Sequence, residues 1–285
     1  MPLPGRVPLT VTLIARDEED RLPSALASVA WADEVVVVVD AATTDRTAEV
    51  AEAAGAHVLV RTFDGFGTQK NAAAALASHP WILSIDADEI VSPRLAAEIR
   101  DRLALLASEK SPPAAFRIPI RLEFLGRELH FGRDTVVRPA RLYDRTRARF
   151  SEDPVHEKVL ASGPLDALDE SILHRSYRDL AHYLEKLDRY TTLAAEAKWA
   201  ARKGVMPFLP VRVAWEFADR AFLRLGILDG TAGLTFAALS AANTLLKYLK
   251  LRELERGIAE GTRLPPVNAR AEDTAVLRIR ALRRT

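Results

Sequence analysis

Cysteine is absent from this chain. That excludes a disulfide framework and any thiolate metal site, and it agrees with a reducing compartment. The opening Met1-Pro2-Leu3-Pro4-Gly5 lacks the basic and apolar regions of a signal peptide, so none is expected. The longest uncharged run lies between Asp229 and Lys247 and contains Gly, Thr, Ser and Asn. It falls short of the roughly 20 apolar residues of a spanning helix, and no transmembrane helix is expected. Neither a GxGxxG nor a Walker loop occurs, so dinucleotide and P-loop readings have no anchor. Internal repeats and low-complexity segments are also missing.

What is present suits a globular protein. The 285 residues allow one large domain with an appendage, or two small domains. With 48% hydrophobic and 28% charged residues, disorder is expected only at the ends. The net charge of +1 hides an asymmetry. Residues 1–100 carry 8 Lys and Arg against 15 Asp and Glu, and the remainder carries 32 against 24. A basic C-terminal part suggests an anionic partner, and a membrane fits the local pattern better than nucleic acid, which is not expected.

The first half alternates strand and helix patterns. Strands are expected at Val7–Ala15, Glu34–Val39, Ala56–Val60 and Trp81–Ile85. Helices are expected at Arg21–Ala30, Asp45–Ala54 (capped by Thr44, ended by Gly55) and Gln69–Ser78, with another opened by Pro93. Such alternation predicts a mostly parallel α/β sheet with helices on both faces, and ligands at the carboxyl ends of its strands. Those ends carry Arg16-Asp17-Glu18, Asp40 and Asp86-Ala87-Asp88. Short β-like runs at Ala115–Ile120, Val136–Tyr143, Val155–Leu160 and Ser171–His174 predict a small antiparallel extension. Helices follow at Asp179–Lys203, Phe208–Leu225 and Ala232–Arg256, then a polar, basic tail from Gly261. The expected division is 1–176, 177–260 and 261–285.

Asp86 and Asp88 follow a strand, and at i and i+2 of an extended stretch both carboxylates face one point. Hard oxygen ligands suit Mg²⁺ or Mn²⁺. The competing reading is an acidic turn before a helix. Asp40 is placed to accept from a base N–H, and Thr43 and Thr44 to hold polar or phosphate groups. Lys70 reads either as a diphosphate partner or as a surface lysine in a helix's first turn, and the second is favoured by sequence alone. Glu152, Asp153 and Glu157 are candidate bases for an acceptor hydroxyl. His156 and His174 are either metal-reaching or satisfied interior histidines.

Several motifs share an order and spacing. They are Ala15-Arg16-Asp17-Glu18-Glu19, Val37-Val38-Val39-Asp40, Thr44-Asp45-Arg46-Thr47, Gly65-Phe66-Gly67-x-Gln69-Lys70-Asn71 and Asp86-Ala87-Asp88-Glu89. Together they resemble family 2 glycosyltransferases. Val155-His156-Glu157, His174-Arg175-Ser176-Tyr177 and Leu228-Asp229-Gly230-x-x-Gly233 narrow the resemblance to the branch containing lipopolysaccharide core β-1,4-glucosyltransferases. The resemblance covers residues 7 to 255 and implies a GT-A fold, a UDP-linked donor, inversion at the anomeric carbon and a divalent metal. It matches Ala15, Arg16, Asp17, Glu18, Thr43 and Ala87 to the nucleotide-sugar pocket, Asp40 to the uracil, and Lys70 and Asn71 to the ribose and diphosphate. Asp88 matches the direct metal ligand and Asp86 a residue shared by ribose and metal, with His174 and His156 as further ligands. Many members place the base in a Glu-Asp pair ahead of an acceptor helix; here Glu152-Asp153 precedes Pro154, so Glu157 is the first candidate and Asp153 the second.

Residues 208–225 interleave Phe208, Val211, Val213, Ala214, Phe217, Ala218, Ala221, Phe222 and Leu225 with Arg212, Arg220 and Arg224. Such a helix lies in a membrane interface or packs on a catalytic domain. The expected function is transfer of a sugar, glucose by the resemblance, from a UDP-sugar to a glycolipid or lipopolysaccharide-core acceptor, on the cytoplasmic side of a membrane. Polyprenyl phosphate or another glycan is the alternative acceptor. A nucleotidyltransferase is disfavoured by Asp17-Glu18-Glu19-Asp20, which would repel a triphosphate. A non-catalytic nucleotide-sugar-binding protein is the remaining rival.

Overall fold

The computed structural model describes residues 7–106, 108–133, 135–153 and 157–257. In chain order the N-terminal half runs β1 (Leu9–Ala15), α1 (Leu22–Ser28), β2 (Glu34–Asp40), α2 (Thr47–Ala53), β3 (His57–Arg61), α3 (Phe66–Leu76), β4 (Trp81–Asp86), β5 (Glu89–Val91) and α4 (Pro93–Leu106). Short strands follow: β6 (Ala115–Arg117), β7 (Ile120–Phe124), β8 (Arg127–Glu128), β9 (Val136–Val137), β10 (Ala140–Asp144), β11 (Ala148–Phe150), β12 (Val159–Ala161), β13 (Leu165–Ala167) and β14 (Ile172–His174). Three helices complete the chain: α5 (Leu180–Ala200), α6 (Leu209–Ala218) and α7 (Gly230–Glu255). The tail from Gly261 lies outside the described residues.

The chain forms two compact units. The first comprises residues up to Arg121 together with Val137–Arg175; the second comprises Leu122–Val136 and the residues from Ser176 onward.

The first unit is built on a seven-stranded sheet in the order β13-β6-β10-β4-β1-β2-β3. β1 is parallel to β2 and β4, and β2 is parallel to β3. β10 then runs antiparallel to both β4 and β6, which is the expected extension of a mixed sheet. Val36 to Val39 are all buried, as a strand covered on both faces requires. Leu9, Val11, Leu13, Leu83, Ile85, Leu95, Ile99 and Leu142 join one core between the sheet and its helices.

Local chemistry sets the helix ends, and two differ from expectation. α4 starts at Pro93, with Ser92 Oγ accepting from Leu95 N at 3.1 Å. α2 starts at Thr47, not Asp45, and Thr44 does not cap it. Asp45 instead accepts from Thr47 N at 2.9 Å, while Thr44 bonds Asp17. α3 begins at Phe66, three residues earlier than read, because Gly65 at φ 131° turns the chain directly into it.

In the second unit α7 packs against α5 and α6. Phe124, Leu129, Tyr183, Leu187 and Ala232 form one cluster, and Ala195, Leu209, Tyr248 and Leu251 another. α6 passes into a π-helical turn at Asp219–Leu223, and a 3₁₀ turn at Gly226–Asp229 leads into α7. Among the described residues no single helix is long and apolar enough to cross a membrane; Leu209–Leu223 and Gly226–Glu255, bent by 70°, pass only as a pair.

Candidate active site

The parallel strands deliver their carboxyl ends to one edge. Ala15 pairs with Val39 and Ile14 with Asp86, so Arg16, Asp40 and Asp86 emerge side by side. Arg16 Nη1 donates to Asp40 Oδ2 at 3.1 Å, and Ala42 N donates to Asp40 Oδ1 at 3.0 Å. A carboxylate has room for more acceptance, so Asp40 keeps capacity for another donor. Thr43 Oγ1, beside it in sequence, is buried without a partner. Asp17 takes a left-handed φ of 53° and accepts from Thr44 N at 2.8 Å and Thr44 Oγ1 at 3.1 Å, tying the β1 loop to the β2 loop.

Glu18 turns away from this edge. Its carboxylate accepts both arms of Arg21, at 2.6 and 2.5 Å. The third nitrogen of Arg21 reaches Asp88 Oδ2 at 3.4 Å. Glu18 and Asp88, 70 residues apart, therefore share one guanidinium.

β4 ends at Asp86, and Ala87 and Asp88 occupy the turn before β5. The extended i, i+2 geometry expected from sequence is thus not what arranges this pair. The two carboxylates have separate partners. Asp86 is 3.0 Å from Lys70 Nζ and 2.9 Å from Arg141 Nη2. Asp88 is 3.1 Å from His174 Nε2. Burial works against the charge of Asp86, but Arg141 and Lys70 outweigh it and hold its carboxyl far below the usual range. Burial likewise opposes the charge of Asp88, yet His174 and Arg21 bring it down to about 2. His174 feels burial first, which lowers it, but Asp88 wins and raises it.

His174 arrives by strand pairing. β14 runs antiparallel to β5 with His174 opposite Glu89, and Arg175 N donates to Asp88 O at 2.9 Å. Sequence reading missed Arg21 and Arg141 here, and quoted Glu89 only as part of a motif, with no role. Arg141 sits where the β10–β6 register shifts, a bulge that aims its side chain at the end of β4. Its Nη2 also donates to buried Glu89 at 2.8 Å, while its Nε and Nη1 are buried without partners. Burial raises the Glu89 carboxyl even against Arg141. The one available signal was a basic residue inside the apolar run Ala140–Tyr143.

Lys70 is not the surface lysine that sequence favoured. It is buried on α3 and bridges Asp86 to Glu157 Oε1 at 3.3 Å. Gly67 explains how: a Cβ there would lie 1.9 Å from Ser151 O, so only glycine lets α3 approach the chain after β11 so closely. Asn71 fastens the same contact. Its amide donates to Phe150 O and accepts from Phe150 N, both at 2.9 Å, so both ends of the amide engage backbone. Glu157 has a side chain only 6% exposed. Asp153 is exposed, and His156 lies outside the described residues.

Five carboxylates (Glu18, Asp86, Asp88, Glu89, Glu157) thus face three permanent cations (Arg21, Lys70, Arg141). Among the described residues no three His, Asp or Glu side chains form a complete metal cage.

Residues 10–105 match the family model "Glycosyl transferase family 2". An uncharacterized glycosyltransferase of Rickettsia bellii is 27% identical over 271 residues, covering 90% of each chain. The lipopolysaccharide core biosynthesis glycosyltransferase LpsC of Rhizobium meliloti is 26% identical over 263 residues, 87% of this chain and 96% of its own. Among solved structures, S. aureus TarS 1–349 in complex with UDP-GlcNAc aligns at 14% identity and a TM-score of 0.41, over 93% of this chain and 95% of that one. The matched segment spans β1 to β4 and the acidic ends that define the edge. Over residues 10–105 the chain matches the family 2 glycosyl transferase model, and it is a glycosyltransferase.

Proposed function

We propose that the protein is an inverting transferase that moves a sugar, glucose in the first instance, from a UDP-sugar to a hydroxyl of a glycolipid or lipopolysaccharide-core acceptor. The similarity to LpsC, over 87% of this chain and 96% of that one, supports the acceptor class. A lipid-borne acceptor also puts the reaction at the inner face of a membrane. The observation that carries the reading is the strand edge itself: Asp40 and Asp86 at the carboxyl ends of β2 and β4, which flank β1, with Asp88 in the turn after β4, where open α/β sheets bind ligands.

The residues fit a divalent cation. Asp88 Oδ2 and His174 Nε2 are 3.1 Å apart. Two cis ligands on an octahedral ion with bonds of about 2.1 Å stand about 3.0 Å apart. Asp88 and His174 would hold Mg²⁺ or Mn²⁺ with Asp86 nearby, leaving other positions to diphosphate oxygens and water. Such an ion neutralises charge on a departing diphosphate. Asp40 and Thr43 are the groups for the base and ribose, and Arg16 and Asp17 shape that pocket. Asn71 acts indirectly, by fixing Phe150.

In the transfer, the acceptor oxygen bonds to the anomeric carbon as the bond from that carbon to the diphosphate oxygen breaks. UDP leaves with the electron pair, and the acceptor proton passes to a carboxylate. Glu157 is our first candidate for that base, and exposed Asp153 the second. Lys70 holds Glu157 and Asp86 on one ammonium, which sets the candidate base at a fixed reach from the donor edge.

The test is release of UDP from a panel of UDP-sugars with Mn²⁺ or Mg²⁺, followed with and without a core-oligosaccharide acceptor. Metal-dependent release that quickens with acceptor is expected, and EDTA should abolish it. Pyrophosphate in place of UDP would indicate a nucleotidyltransferase. Silence, with thermal stabilisation by UDP-sugars retained, would indicate a binding protein.

A further inference from the structure

The outer surface of the second unit around α6 carries a second, unassigned feature. A helix that merely covers a domain shows water its polar face. α6 does not. Its inner side is apolar, with Leu209 buried against Ala195, Tyr248 and Leu251. Its outer side is apolar too. Phe208 is 80% exposed, Val211 66%, Trp215 54% and Phe222 53%, in a stripe of helical spacing that runs on through the π turn. Leu223 extends it at 62%.

The backbone adds an independent sign. Phe208 and Leu225, at the two ends of this stretch, both take a left-handed φ of 57°. Glycine or asparagine adopts that conformation readily, and a bulky residue is strained in it. Both positions are exposed, so neither side chain is kept there by internal packing.

Charge completes the picture and corrects the sequence reading. Arg220 does not point outward among the apolar residues; it is buried and bonds Glu216 at 2.9 Å. Asp219 is buried near Arg133, at 3.6 Å, and Asp229 is buried accepting from the backbone of His130 and Phe131. Every acidic residue between 202 and 230 is therefore turned inward. The exposed charges of the same stretch are Arg202, Lys203, Arg212 and Arg224, all basic.

We infer that this stretch is a wedge that enters the headgroup region of an anionic bilayer. Phe208, Val211, Trp215, Phe222, Leu223 and Leu225 go toward the acyl boundary, and the four basic groups meet lipid phosphates. A second copy of the chain is a poorer occupant. Across a two-fold axis the patch would meet itself and set like charges together. This surface rests on exposure, conformation and charge in the second unit, and not on the proposed reaction.

The test is flotation of the full-length protein with vesicles of phosphatidylcholine alone or with roughly one third phosphatidylglycerol. About tenfold more protein should float with the anionic vesicles, and high salt should reduce it. F222E/L223E should cut anionic-vesicle binding about tenfold, while melting temperature and UDP release in solution stay at the wild-type level. L225G relieves a strained position, so it should weaken binding without lowering the melting temperature. Wild-type protein that stays at the bottom of the gradient overturns the proposal. So does binding that neither variant reduces. A wild-type dimer in size-exclusion chromatography that F222E/L223E dissociates would assign the patch to self-association instead. If flotation behaves as stated but UDP release is absent, the proposed reaction fails and the wedge stands.

Discussion

Lys70 places its ammonium 3.0 Å from Asp86 while buried on α3, so the acidic edge depends on a helix outside the strand that carries Asp86. Lys70→Met should remove the one ammonium that Asp86 and Glu157 share. Removing one partner of a buried pair costs about 3 kcal/mol. Urea denaturation should show that loss, and Lys70→Met/Glu157→Gln should recover part of it. A single variant as stable as wild type would mean that the ammonium is not holding the junction.

Arg141 makes a different forecast. Its one Nη2 serves both Asp86 and Glu89, one bond farther from the backbone than a lysine ammonium reaches. Arg141→Ala should lower kcat/KM for UDP release by about 100-fold, and Arg141→Lys should recover only part of it. Equal rates for all three proteins would remove Arg141 from the site.

Gly67→Ala tests the approach of α3 to Ser151. The added methyl would sit 1.9 Å from a backbone oxygen that has no flexible end to move. Overpacking of this kind costs about 1–3 kcal/mol. The melting temperature should fall, and UDP release with it, because Lys70 and Glu157 ride on the same contact.

Glu34 gives a pH dependence far from the site. Burial opposes its charge, but bonds from Thr10 and Ser78, with His79 nearby, lower its carboxyl below the ordinary 4.5. A depressed carboxyl stabilises the fold fully above about pH 5 and loses that contribution as pH falls through the folded value. Stability measured between pH 6 and pH 3 should therefore fall less steeply for Glu34→Gln than for wild type.

The four parallel strands, and their acidic ends, were readable because period and position are local. Valine runs and glycine stops mark β2 and α2, and a strand's end is where its apolar run ends. Of the partners of those acids, His174 was named from sequence and the two arginines were not. Arg21, Arg141 and His174 reach Asp86 and Asp88 through folds of the chain across 55 to 86 residues. Nothing beside Arg141 in sequence announces a bulge, and nothing beside Lys70 announces burial. Gly67 was legible as part of a motif, but the backbone oxygen that demands it was not. Around α6 the composition was visible and the direction of each side chain was not, so nothing in the sequence separated buried Arg220 from exposed Arg212 and Arg224.

The pairing of β14 with β5 carries a consequence for synthesis. On the ribosome, all four parallel strands have emerged long before His174 is added, and His174 follows Asp88 by 86 residues. Until then Asp88 lacks the neighbour that most strongly holds down its proton affinity. The nascent chain thus builds its acidic strand edge early and finishes the charge balance of that edge last, just before the first long helix of the second unit begins.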